Sequence, residues 1–155
     1  MLFAGTIEAK ADAKGRVFFP SDFRRQLPES DSRIVLRRDA YQPCLVACPF
    51  SVWQREVELL RSRLNRWQPQ EAMLFRQFLA GLHQTALDAN GRLLLPKRLA
   101  EQCALGTAVT FVGADDRVEI WDAATMNAAF LTPEAMADAM AAVAGRLVAQ
   151  PESNA

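Results

Sequence analysis

Apolar and polar positions along this chain follow two rhythms. The longest is helical. In "PFSVWQREVELLRSRLNRW", Phe50, Trp53, Val57, Leu60, Leu64 and Trp67 recur at spacings of three and four, with Arg and Glu between them. That stripe predicts an amphipathic helix running to Trp67. "QPQ" at 68–70 breaks it, and "EAMLFRQFLAGL" predicts a second helix carrying Met73, Leu74, Phe75, Phe78 and Leu79. The pair reads as a helical hairpin. It holds fewer than three heptads, so packing on the protein's own sheet or on a neighbouring subunit is expected rather than a coiled coil.

The other rhythm is short and β-like. "LFAGTIEAKAD" places Phe3, Gly5, Ile7 and Ala9 on one face of a strand. "RVFFP" reads as a returning strand that Pro20 ends, and Ser21 or Asp22 is placed to cap a short helix. The runs "RIVLR", "CLVAC", "AVTFVG" and "RVEIW" complete the strand set. Near the end, Thr132 can cap a helix, Pro133 suits its first position and Glu134 meets its positive end. "AMADAMAAVAGRLVAQ" continues that helix, and "PESNA" is expected to fray.

The two rhythms occur in the same order twice. "DAKGRVFFP" (12–20) returns 76 residues later as "DANGRLLLP" (88–96), and Gln26 falls on Gln102 in the same register. Each unit reads strand, turn, strand, short helix, strand, strand, helix. A period of about half the chain marks a duplication, not a solenoid.

The repeated turn has its own chemistry. Two β-runs joined by D-A-K-G or D-A-N-G read as a hairpin with a type I turn and a left-handed residue. Asp12 and Asp88 can accept from main-chain N–H groups within the turn. Gly15 and Gly91 suit the positive-φ position. Arg16 and Arg92 are not required by the turn. One reading has each reaching back to its Asp as an exposed ion pair, worth about 0–1 kcal/mol. The other has each presenting a planar fork suited to phosphate or guanine. Lys10, Lys14 and Arg16 gather around the first tip, with Arg24 and Arg25 on the following helix, and the second unit offers Asn90, Arg92, Lys97 and Arg98.

Composition narrows the class. Half of the 155 residues are hydrophobic, enough for a core, and no apolar run reaches membrane-spanning length. The start "MLFAGTIEAK" lacks the basic and apolar regions of a signal peptide, so a cytoplasmic location is expected. Three cysteines argue against a disulfide framework, and Cys44 and Cys48 read as small buried hydrophobes rather than metal ligands. No cofactor or metal site is implied. The chain carries neither a P-loop nor a G-x-S-x-G elbow, and its single histidine, His83, has no nucleophile beside it, so an enzyme is not expected. Net charge is zero, but residues 1–112 carry 16 Lys and Arg against 11 Asp and Glu, while 113–155 carry 2 against 7. An anionic partner would meet the basic body.

These residues carry a resemblance. The duplicated D-x-[KN]-G-R-x-x-x-P turn resembles the SpoVT-AbrB fold group. The whole chain over about residues 1–145 is similar to the MraZ family of bacterial transcriptional regulators, with "FAG" before the first turn, "CPFSVW" after the first unit and "EIWD" late in the second. The resemblance implies an α+β fold of two tandem SpoVT-AbrB-like units, interlocked in a small double-split β-barrel with helices outside. The units would span 3–50 and 82–125, with a helical hairpin linker at 51–81 and a C-terminal helical segment at 126–150. It further implies a ring of identical subunits on double-stranded DNA, in the nucleoid, reading promoter direct repeats of the division and cell-wall gene cluster and regulating its own gene, with no small-molecule substrate. Lys14 and Arg16 are then the primary DNA contacts, Asn90 and Arg92 their counterparts, and Lys10 and Arg24 flank them. Related barrels also serve as antitoxins, so a protein-binding or scaffold module is the alternative.

Overall fold

The computed structural model describes residues 1–149; the expected fraying of "PESNA" lies outside them. The first half runs β1 (Thr6–Lys10), β2 (Arg16–Phe18), α1 (Ser21–Arg24), β3 (Ile34–Arg38), β4 (Leu45–Pro49) and α2 (Phe50–Arg63). After α3 (Pro69–Ala80) the same order returns as β5 (His83–Thr85), β6 (Arg92–Leu94), α4 (Lys97–Gln102), β7 (Ala108–Ala114), β8 (Arg117–Asp122) and, past a 3-10 turn at Met126–Ala129, α5 (Pro133–Ala149). The fold is α+β, as expected.

The strand pairing corrects the two expected hairpins. β1 does not pair with β2. It pairs antiparallel with β7, Glu8 opposite Thr110, while β5 pairs with β3, Val35 opposite Gln84. The returning strands pair with each other: Arg16 lies opposite Leu94, Val17 opposite Leu93 and Phe18 opposite Arg92. Each turn is closed by its own residues, but the strands on either side separate into different sheets. A strand from one half thus completes its ladder on the other half, satisfying the main-chain groups that a three-residue strand alone would leave open.

The large sheet has the order β1-β7-β8-β4-β3-β5, and β2-β6 forms a separate ribbon. With β1 and β5 as edges, the sheet is antiparallel and open; strand pairing does not close it into the expected barrel. The core lies between sheet and ribbon. Val17 and Leu93 enter from the ribbon, Leu36, Leu45, Phe111 and Ile120 from the sheet, and Phe23 and Leu99 from the two short helices. Phe3–Phe23 and Phe19–Phe111 meet edge to face at 5.7 Å between centroids, the favoured aromatic geometry. The other face of β3 and β4 is covered by α2, which packs Val52 against Val35 and Cys48. Both faces being covered explains why "IVL" and "LVAC" are continuous apolar runs rather than alternating ones. Cys44, Cys48 and Cys103 are free and buried. Burial pushes the Cys48 thiol up to about 12.

Three local expectations change. α2 ends at Arg63 with Leu64 extended, so Trp67 falls off the stripe and is 94% exposed. The Asn65 side chain accepts from the Trp67 N–H and stabilises a turn before Pro69, a residue whose predecessor is disfavoured in helical conformation. In α3 only Phe75 is buried, while Met73, Leu74 and Leu79 are exposed. Neither Ser21 nor Asp22 caps α1: the helix begins at Ser21, and the Pro20 carbonyl accepts from Phe23 and Arg24 instead. The Thr132 cap does form, its Oγ1 accepting from the Ala135 N–H at 3.2 Å.

Two devices hold the halves together. Glu56 on α2 accepts from Arg37 Nη2 of β3 at 3.0 Å and pairs with Arg117 Nη1 of β8. Phe3, 1% exposed, is clamped by a bridge to Asp115, and a Cβ at Gly113 would fall on the main chain of Phe3 and Ala4.

Candidate nucleic-acid interface

Both repeated turns are built alike. In the first, Asp12 Oδ1 accepts from the main-chain N–H groups of Lys14 and Arg16, each at 2.9 Å, and the Gly15 N–H donates to the Asp12 carbonyl. In the second, Asp88 Oδ1 accepts from Asn90 and Arg92 at the same 2.9 Å, and Gly91 donates to the Asp88 carbonyl. Gly15 and Gly91 sit at φ +83° and +80°, where a Cβ would be strained. The turn chemistry read from the sequence is therefore the chemistry observed.

Each arginine makes the ion pair that the sequence offered as one of two readings. Arg16 Nε donates to Asp12 Oδ2, and Arg92 Nε to Asp88 Oδ2, both at 2.8 Å. The Arg16 main-chain N–H is the largest influence lowering the Asp12 pKa, with the Arg16 guanidinium and Lys14 N–H adding to it. Arg92 does the same for Asp88. The two readings are not exclusive. Nε is one of five guanidinium donors; binding it fixes the plane of the fork and leaves both Nη groups without a protein partner among the described residues.

The two tips lie at opposite ends of one ribbon. Gly15 accepts at its carbonyl from the Leu95 N–H, and Gly91 from the Phe19 N–H. Arg16 and Arg92 are offset by two residues across the ladder, so their Cα atoms stand about 8–9 Å apart by strand geometry. Phe18 and Leu94 alternate with buried Val17 and Leu93 and face outward, 62% and 49% exposed. Phe19, by contrast, is core. Of the adjacent phenylalanines in "VFFP", one is thus structural and one is presented beside Arg92.

The predicted cations are redistributed. Lys10, opposite Ala108, ends β1 two residues before Asp12 of the first turn. Arg24 does not: its guanidinium packs against Gly91 of the second turn, its Cζ 3.2 Å from where a Cβ would stand. Conversely, Lys97 of the second half lines a groove of about 560 Å³ with Lys14, Gly15 and Ala100 beside the first turn. Sequence proximity assigned these side chains to the wrong tips, because each short helix lies over the other half's turn.

The class defined here is a small α+β protein with interleaved halves, presenting two preorganised arginine turns on one ribbon. No described helix is long and apolar enough to cross a membrane. Residues 78–142 match the family model described as "MraZ protein, putative antitoxin-like". The chain is 43% identical over 139 residues to the transcriptional regulator MraZ of Bacteroides fragilis, spanning 89% of this chain and 88% of that one. It is 44% identical over 133 residues to the Bacteroides thetaiotaomicron protein of the same name, covering 85% of each. The Phocaeicola vulgatus namesake is 45% identical over 135 residues, covering 86% and 88% respectively. The chain belongs to the MraZ family, whose members carry the name of a transcriptional regulator and not of an enzyme.

Proposed function

We propose that this protein is a sequence-specific DNA-binding transcriptional regulator, a repressor that also controls its own gene within the division and cell-wall cluster. The observation that carries the reading is the paired turn, in which an aspartate holds an arginine by Nε and leaves its Nη donors uncommitted at both tips. A fixed fork suits phosphate or guanine at low entropic cost. Lys10, Lys14, Arg16 and Arg24 from the first half join Asn90 and Arg92 from the second as the contact set on double-stranded DNA.

The two halves act as SpoVT-AbrB-like units over 3–50 and 82–125, joined by the hairpin 51–81 and followed by 126–150. A ring of copies multiplies weak tips into useful affinity where their spacing matches promoter direct repeats, which reconciles DNA binding with zero net charge. The protein acts in the cytoplasm, at the nucleoid. The family description and the exposed apolar residues of α3 favour one alternative, an antitoxin-like protein-binding module.

A salt titration on duplex DNA from upstream of its own gene, with a scrambled duplex as control, tests the reading. Arg16→Ala is expected to weaken binding and reduce the salt slope with the oligomer intact. No preference for the native duplex at any salt would overturn it in favour of the alternative.

A further inference from the structure

The two tips share a sequence but not an environment. Residue 24 is the equivalent of residue 100 in the repeat register, and there the halves differ: arginine in α1, alanine in α4. Arg24 lies on Gly91. At the other end of the ribbon the matching space beside Gly15 is part of an open groove with Ala100 on its wall. The Arg92 side chain is accordingly more covered than that of Arg16, 23% against 33% exposed.

Arg24 is placed without any counter-ion among the described residues. Asp88, the carboxylate of the turn on which Arg24 lies, is taken by Arg92. Of the acids that line a groove together with Arg24, Asp31 is bound by Arg33 at 2.7 Å and Glu29 makes no ion pair among the described residues. An unpaired guanidinium thus rests on the residue adjoining Arg92, another guanidinium. Asp88 offsets Arg92 alone, so Arg24 brings the second turn a net positive charge that a phosphate oxygen can meet.

We propose that Arg24 and Arg92 form a composite phosphate-binding site, built from both halves of the chain, which makes the second tip the backbone anchor and leaves the first tip the weaker partner. The ligand is a phosphodiester oxygen pair. The inference rests on the DNA-binding reading above. It adds that Arg24 works with Arg92 and not with Arg16, its neighbour in sequence.

Double-mutant cycles on native and scrambled duplexes, read by anisotropy across a salt series, test it. Arg24→Ala should weaken both duplexes alike, roughly three- to tenfold, and lower the salt slope by about one, the mark of a phosphate contact. Arg24→Ala with Arg92→Ala should be non-additive, while Arg24→Ala with Arg16→Ala should add, since only groups sharing a partner couple. Ala100→Arg, which installs the missing arginine beside Gly15, should tighten binding and raise the slope by a similar amount; as a gain, it is not mimicked by misfolding. Coupling of Arg24 to Arg16, or unchanged binding by both Arg24→Ala and Ala100→Arg while Arg16→Ala still weakens it, overturns the composite site and leaves DNA binding standing. Failure of the wild type to prefer the native duplex overturns the underlying reading instead.

Discussion

Asp88 holds Arg92 twice, Oδ1 accepting from its main-chain N–H at 2.9 Å and Oδ2 from its Nε at 2.8 Å. One carboxylate therefore sets both the turn and the plane of the guanidinium that follows it, and Asp12 does the same for Arg16. The carboxylate also opposes an approaching anion. Asp88→Asn keeps an acceptor for the turn but removes that charge and the charged partner of Nε. Non-specific DNA affinity should rise and the ratio of native to scrambled binding should fall, measured by competition at fixed salt. An unchanged ratio would mean that the aspartate does not orient the fork.

The link between α2 and the sheet gives a stability prediction. Glu56 is the shared partner of Arg37 and Arg117, with Arg37 only 9% exposed. Glu56→Gln leaves Arg37 uncompensated in a mostly buried site, while Arg117 keeps Asp116 at 2.9 Å. That should cost about 3 kcal/mol in urea unfolding, the low end of the range for a broken buried pair. A loss below about 0.5 kcal/mol, the range of ordinary surface changes, would place the network in solvent.

Gly113 is a close-approach glycine. The segment before β1 lays Phe3 and Ala4 against it, and the atoms a Cβ would meet are main chain, which cannot swing aside. Gly113→Ala should destabilise by about 1–3 kcal/mol and expose Phe3 to quenchers. Gly145→Ala, where a Cβ meets nothing within 4 Å, serves as the control and should stabilise α5 by roughly 0.5–1 kcal/mol.

Acid sensitivity should follow the aspartates. The Arg33 guanidinium, with its main-chain N–H, holds Asp31 down to about 2, against an ordinary 3.8. A depressed carboxyl contributes stability that is present above its unfolded pKa and is lost as pH falls through the folded one. Asp31→Asn should therefore flatten the unfolding free energy between pH 3.8 and about 2. Asp12 and Asp88 are lowered too, by the main-chain N–H groups of Arg16 and Arg92 first, so they act on the same acid limb. A slope unchanged in Asp31→Asn would contradict the pairing.

The C-terminal helix offers a charge test. α5 keeps every residue from Pro133 to Leu147 exposed except half-buried Ala135, and it begins in the acidic portion of the chain. Deleting 132–155 should leave the melting temperature of the core within a few degrees and tighten non-specific DNA binding by removing like-charge repulsion. Equal or weaker binding by the truncated chain would count against a repulsive role.

What the sequence determined by itself was local. The spacing of Asp12, Gly15 and Arg16, repeated at Asp88, Gly91 and Arg92, dictates the turns because every contact within them spans at most four residues. Element order, buried cysteines and the Thr132 cap follow from the same short-range chemistry, while the α+β class was implied by the family resemblance. The tertiary structure alone decided which strands pair and which cations share a tip. A three-residue strand such as Arg16–Phe18 carries no signal that distinguishes a partner six residues away from one 76 away; the ladder forms where both halves can bury Val17 and Leu93 together. Arg24 falls at the second turn for the same reason, since α1 seats Phe23 in the core shared by both halves and lays the next residue on Gly91.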